Sequence, residues 1–119
     1  MRNTEQRKKI LNVLSESKVP MTCEDIMKSI KNSKLNLSTI YRSLEKFKEN
    51  DYVIETIINK KKYFYTGSHH HFLFCSGCEI IIPVKCDFHE KENEIAKPYN
   101  FSIQRHEMTI YGLCFECRN

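Results

Sequence analysis

Ile10, Leu11, Val13 and Leu14 recur at helical spacing and share one broad apolar face, and Thr4 stands where an N-cap would open that helix. Pro20 ends the link that follows. Thr22 and Asp25, three residues apart, have the spacing of a capping box. They predict a second, shorter helix with Ile26, Met27 and Ile30 buried and Lys28 and Lys31 outside. A third helix is expected to begin at Ser38 as its N-cap, with Ile40, Leu44 and Phe47 as its buried stripe. Ser38, Thr39, Arg42 and Lys46 then face solvent, and Tyr41 sits on the flank. After Asn50-Asp51 the period shortens. The β-branched run 52–58, the polar turn Asn59-Lys60-Lys61-Lys62 and the triplet Tyr63-Phe64-Tyr65 predict a hairpin. Three helices and a hairpin make a winged helix-turn-helix. Further on, the pattern predicts a strand at 79–84, a helix at about 88–96 and a long last strand at 101–111.

The 119 residues are 40% hydrophobic and 29% charged with 3 Gly and 3 Pro, a composition that folds rather than stays disordered. No window approaches the roughly 18 to 20 apolar residues of a membrane span, and the charged start MRNTEQRKKI leads into no apolar leader segment. The expected setting is cytoplasmic, with no membrane partner. The net charge of +4 is unevenly spread. Up to Thr66 there are 14 Lys/Arg against 8 Asp/Glu, and beyond it 5 against 7. All the histidines and five of the six cysteines lie in the second part. This segregation predicts two modules, 1–66 touching a polyanion and 67–119 holding metal.

The polyanion is expected to be double-stranded DNA. A helix fits the major groove, where Arg42 can pair with a guanine edge and Tyr41 or Thr39 can touch a thymine methyl. Lys60, Lys61 and Lys62 at the hairpin tip would meet phosphates, adding affinity with little sequence information. Surface lysine alone is common in soluble proteins; the argument rests on the basic wing following a basic helix-turn-helix.

Cys75-Ser-Gly-Cys78 and Cys114-Phe-Glu-Cys117 are two C-x-x-C pairs with 35 residues between them. In a reducing compartment such cysteines read as metal ligands rather than disulfides. Four thiolates satisfy the tetrahedral preference of Zn²⁺, and a redox dithiol would not need a second matching pair. A closed zinc site would also tie strand 79–84 to the last strand in a module with few residues for a core.

Thr4-Glu-Gln-Arg7, Ser38-Thr-Ile-Tyr-Arg42, the histidine run before Cys75-x-x-Cys78 and the stretch from His106 through Cys114-x-x-Cys117 together resemble the ferric uptake regulator family of bacterial metal-dependent regulators. The resemblance covers nearly the whole chain. It implies an α+β protein: an N-terminal winged-helix DNA-binding domain followed by a C-terminal α/β dimerisation domain with a four-cysteine zinc site. It further implies a homodimer on a palindromic operator, with Tyr41 and Arg42 at the DNA; Ser38 and Thr39, on the solvent-facing side of the same helix, are further candidate contacts.

Family members that sense metal between the two domains take ligands from positions that here hold Pro20, Tyr63 or Phe64, His70, Phe72 and Pro83, of which only His70 can bind a metal. One imidazole does not hold a divalent ion against water, so that site is expected to be absent. Cys23 is the residue from which it could be rebuilt. A second ligand set that the resemblance implies falls on His69, His71, Glu90 and His106, with Cys86 and His89 in reserve. Three imidazoles and a carboxylate suit Fe, Zn, Mn, Co or Ni. The function expected from the resemblance is metal-responsive repression of metal-homeostasis genes, with metal occupancy setting the hinge after Thr66 and so the spacing of the recognition helices. The alternative within the family is a peroxide-stress regulator. From other classes, a zinc-dependent hydrolase would need an open ligand position and a general base that no motif supplies, and a zinc-ribbon interaction module leaves the basic half unexplained.

Overall fold

The computed structural model describes residues 4–30 and 35–119, so the side chain of Thr4 and the placement of Lys31 lie outside the described residues. The chain divides into two compact units, 1–68 and 69–119.

In the first unit, helices α1 (Thr4–Glu16), α2 (Cys23–Ser29) and α3 (Leu37–Glu49) precede a hairpin of β1 (Ile54–Ile58) and β2 (Lys61–Tyr65). Ile10 and Leu14, Ile26 and Ile30, and Ile40, Leu44 and Phe47 meet in one core with Leu35, Val53 and Phe64. The spacings of three and four within each helix put those side chains on single faces. Met21 and Phe64 exchange backbone hydrogen bonds of 2.9 and 2.8 Å, which dock the hairpin on the segment entering α2. Thr22 and Asp25 form the expected capping box. Met27 departs from expectation. It sits one position past Ile26 on a seven-residue helix, off the face that Ile26 and Ile30 share, and is 40% exposed.

The start of α3 also differs. Asn36, not Ser38, is the N-cap, its side chain accepting the Thr39 N–H at 2.9 Å. Ser38 therefore lies in the first turn with its side chain exposed. The hairpin turn is tighter than the four-residue run implied. Asn59 and Lys60 both take left-handed backbone angles (φ 50° and 69°), a two-residue turn that pairs Ile58 with Lys61. Lys61 and Lys62 consequently belong to β2, and strand alternation sends them to opposite faces.

The second unit contains β3 (His70–Cys75), β4 (Ile81–Lys85), α4 (His89–Ala96), a 3₁₀ turn (Lys97–Tyr99) and β5 (Thr109–Gly112). The sheet order is β4-β3-β5, with β3 antiparallel to β4 and parallel to β5. Pro83 is tolerated because β4 is an edge strand. The last strand is shorter than 101–111. β5 can pair only along β3, and that ladder begins where Phe72 N–H meets Met108 O at 3.3 Å. Residues 101–107 stay outside the ladder, although His70 and His71 of β3 extend beyond its first pair, Phe72 with Thr109.

This topology makes two meeting places. Parallel β3 and β5 end at the same edge of the sheet, which brings together the two C-x-x-C segments that follow them. The opposite edge collects the start of β3, the end of antiparallel β4 and the approach to β5.

Candidate metal centres and nucleic-acid interface

At the first edge the ligand atoms of Cys75, Cys78, Cys114 and Cys117 all lie within 4.8 Å of one another. The first pair sits in the β3–β4 turn, closed by Glu79 N–H to Cys75 O at 2.8 Å, and Ser76 N–H bonds Gly112 O at 2.8 Å to fasten that turn to the end of β5. Cys78 Sγ and Cys114 Sγ are 3.7 Å apart. Zinc–sulfur bonds of about 2.3 Å in a tetrahedron require an edge of about 3.8 Å, so these two sulfurs stand at the spacing the ion demands. The backbone N–H groups of Cys114 and Cys78 donate to Cys75 Sγ at 3.3 and 3.4 Å and pull its thiol down to about 6. Cys117, bonded to Cys114 and then to the other sulfurs, is pushed up to about 12. These hydrogen bonds thus favour the thiolate at Cys75 and oppose it at Cys117.

A Cβ added to Gly77 would meet Cys117 Sγ at 2.8 Å. Gly77→Ala is therefore expected to displace that sulfur and speed metal loss to a chelator by about tenfold to a hundredfold, the usual scale for a disturbed metal environment. Unchanged release kinetics would show that the turn yields without moving the ligand.

At the second edge, His69, His71 and His106 form a near-equilateral group with ring centres 4.8, 4.9 and 4.8 Å apart. His106 Nε2 lies 3.1 Å from both His71 Nε2 and Cys86 Sγ, while its Nδ1 bonds the Glu92 carboxylate. Burial lowers the pKa of His69, as do the charges of the neighbouring histidines; burial and the same neighbours lower that of His71. Lowered values leave neutral imidazoles, the form that binds metal.

Of the expected set, the structure brings together His69, His71 and His106 but not Glu90. Its place in the cluster goes to Cys86, immediately after β4. The reason is helical geometry. Glu90 and Glu92 are two positions apart on α4, about 200° around the axis, so turning Glu92 and buried Ala96 inward sends Glu90 to solvent. Glu92 was not foreseen. The four-residue steps Phe88, Glu92, Ala96 marked its face and were legible. His89 remains exposed, reaching Glu92 Oε1 at 3.4 Å from outside the cluster. Phe72 is buried opposite Pro83 in the β3–β4 register, and Pro20 is buried in the first unit. Cys23 is half-buried and its thiol is pushed up by burial.

In the first unit, α3 leaves Ser38, Tyr41 and Arg42 exposed and Thr39 half-buried. Lys60 and Lys61 stand at the hairpin end, but Lys62 turns to the helix. Its Nζ donates to Tyr41 Oη at 3.0 Å and stands 5.3 Å from the ring centre, linking wing to helix.

The ferric uptake regulator family model matches residues 1–111. The chain belongs to the ferric uptake regulator family. Among relatives, the ferric uptake regulation protein of Bordetella parapertussis is 26% identical over 99% of this chain and 90% of its own. The peroxide operon regulator of Bacillus subtilis is 32% identical over 98% and 84%. The structure of the Helicobacter pylori ferric uptake regulator, which has three functional metal-binding sites, superposes with a TM-score of 0.87 at 25% identity, covering 100% of this chain and 83% of that one. As a member of the family the chain is a metal-responsive transcriptional regulator, and the winged helix and α/β unit are the fold it shares with these relatives. Among the described residues no helix is long and apolar enough to cross a membrane.

Proposed function

We propose that this regulator is a cytoplasmic repressor that binds a palindromic operator as a homodimer, with 1–66 as the DNA-binding domain and 67–119 as the dimerisation and metal-binding domain. It has no enzymatic role. The observation that carries the reading is the separation of two ligand clusters to opposite edges of one sheet, one all sulfur and one mostly imidazole. Four thiolates make a closed site, so Cys75, Cys78, Cys114 and Cys117 would hold structural Zn²⁺. His69, His71 and His106 would hold a second, regulatory transition ion. His69 Nε2 is buried with no hydrogen-bond partner among the described residues, a cost that a bound cation at the cluster would help offset. A second ion would join the segment entering the second unit to the stretch that approaches its last strand. Residues so joined favour one conformation, and differential metal affinity for that conformation is what couples to DNA.

Dimerisation is supported by the exposed sheet face. Leu73, Ile82 and Ile110 stand side by side across the three strands and are exposed, with Leu113 beyond them. On the DNA side, Ser38, Thr39, Tyr41 and Arg42 would read bases and Lys60, Lys61 and Lys62 would add phosphate contacts or, for Lys62, hold Tyr41. Arg42→Ala is expected to weaken operator binding and relax preference at one position by about 1 to 3 kcal/mol. Lys61→Ala should weaken all sequences alike and lower the salt slope by about one. Operator titrations over a salt series, with and without chelator, check both. Unchanged affinity in Arg42→Ala would remove α3 as the reader.

A further inference from the structure

We infer that Cys86 is the fourth ligand of the second metal centre, making it a His₃Cys site that selects zinc-like ions over manganese, with Glu92 as the residue that positions His106. The inference rests on the proposed metal-holding role of His69, His71 and His106 and adds what the fourth donor does to selectivity.

Chain geometry presents Cys86. It is the first residue after β4, and antiparallel pairing sets Lys85 opposite His70, so the residue beyond Lys85 arrives beside His69 and His71. Its sulfur lies 3.1 Å from His106 Nε2, and the ligand atoms of all four residues lie within 4.8 Å of one another. For a tetrahedral ion with bonds of about 2.3 Å to sulfur and 2.0 to 2.1 Å to nitrogen, the sulfur–nitrogen edge is about 3.6 Å and the nitrogen–nitrogen edge about 3.3 Å. The two separations at His106 Nε2, 3.1 Å each, are slightly shorter and the rest lie within 4.8 Å, so an ion could be seated by small shifts of side chains.

His106 is turned for the task. A carboxylate only accepts hydrogen bonds, so contact with Glu92 places the ring proton on Nδ1 and leaves the Nε2 lone pair aimed at Cys86 and His71. Glu92 is thereby committed behind His106 and Glu90 points to solvent, so among the described residues the cluster's fourth donor is sulfur rather than oxygen. Thiolate and imidazole favour zinc and cobalt, whereas manganese prefers carboxylate and water. A carboxylate in this position would have left manganese competitive; a thiolate does not.

The test uses the full-length dimer with zinc in the four-cysteine cluster, titrated with Co²⁺ and followed by absorption, with zinc per chain measured in parallel. Wild type should take up one Co²⁺ per chain with an intense sulfur-to-cobalt charge-transfer band and the visible bands of a tetrahedral ion. Cys86→Ser should lose the charge-transfer band while keeping its zinc and its dimer, and should bind Zn²⁺ at least about tenfold more weakly. Cys86→Asp should restore binding and shift the Mn²⁺/Zn²⁺ affinity ratio toward manganese. Glu92→Gln should keep the charge-transfer band but weaken binding about tenfold to a hundredfold, as loss of a ligand-orienting partner does. If wild type binds Co²⁺ with no sulfur band, or Cys86→Ser keeps the band, the thiolate assignment fails while the histidine site stands. If wild type takes up no Co²⁺ beyond its zinc, the second centre and this inference fall together.

Discussion

Cys114→Ser should unfold the second unit and with it the dimer. Among the described residues, the buried apolar side chains of 69–119 are Phe72, Phe74, Cys75 and Ala96, too small a core to hold some fifty residues. The sulfur cluster supplies the rest by fastening the β3–β4 turn to the end of β5. A structural zinc contributes on the order of 10 kcal/mol to small modules, comparable with the whole stability of an ordinary domain. Circular dichroism and size-exclusion chromatography of Cys114→Ser, and of wild type held in strong chelator under reducing conditions, should both show loss of structure in this unit. A folded Cys114→Ser dimer with wild-type melting would remove the four-cysteine assignment.

The second large effect is expected at His106. His106→Ala should abolish metal-dependent DNA binding, lowering affinity for the regulatory ion by well over about tenfold, while the zinc and the fold remain. This histidine touches His71, Cys86 and Glu92 at once, so its removal empties the centre of the cluster. His70→Ala should change little. In strand β3 successive side chains point to opposite faces, so His70 is directed away from the edge where His71 joins the cluster. Operator titrations of both variants across metal concentrations separate the two positions. Loss of response in His70→Ala with retention in His106→Ala would place the sensor elsewhere.

What could be read from the sequence followed how local the determining physics is. The helices of the first unit and the box Thr22–Asp25 depend on spacings of three and four, and they were legible. The Asn36 cap was not, because Asn36 and Ser38 are both good capping residues and only the backbone decides between them. Likewise Asn59-Lys60-Lys61-Lys62 reads as polar throughout, yet the left-handed angles of its first two residues shorten the turn and carry Lys62 to Tyr41. The sulfur pairs declare themselves by repetition. The fourth donor of the second cluster does not, since choosing between Glu90 and Cys86 requires the rotation of α4 and the end of β4, both set by tertiary packing.

The most direct measurement of the central claim is reciprocal. Affinity for the second metal should be determined on the zinc-loaded dimer with and without its operator. Linkage requires that if metal tightens DNA binding by some factor, DNA tightens metal binding by the same factor. The account predicts a rise in metal affinity on adding operator, equal to the rise in operator affinity on adding metal and absent in His106→Ala. Identical metal affinity with and without operator would contradict it, leaving the histidine cluster as a metal site with no part in regulation.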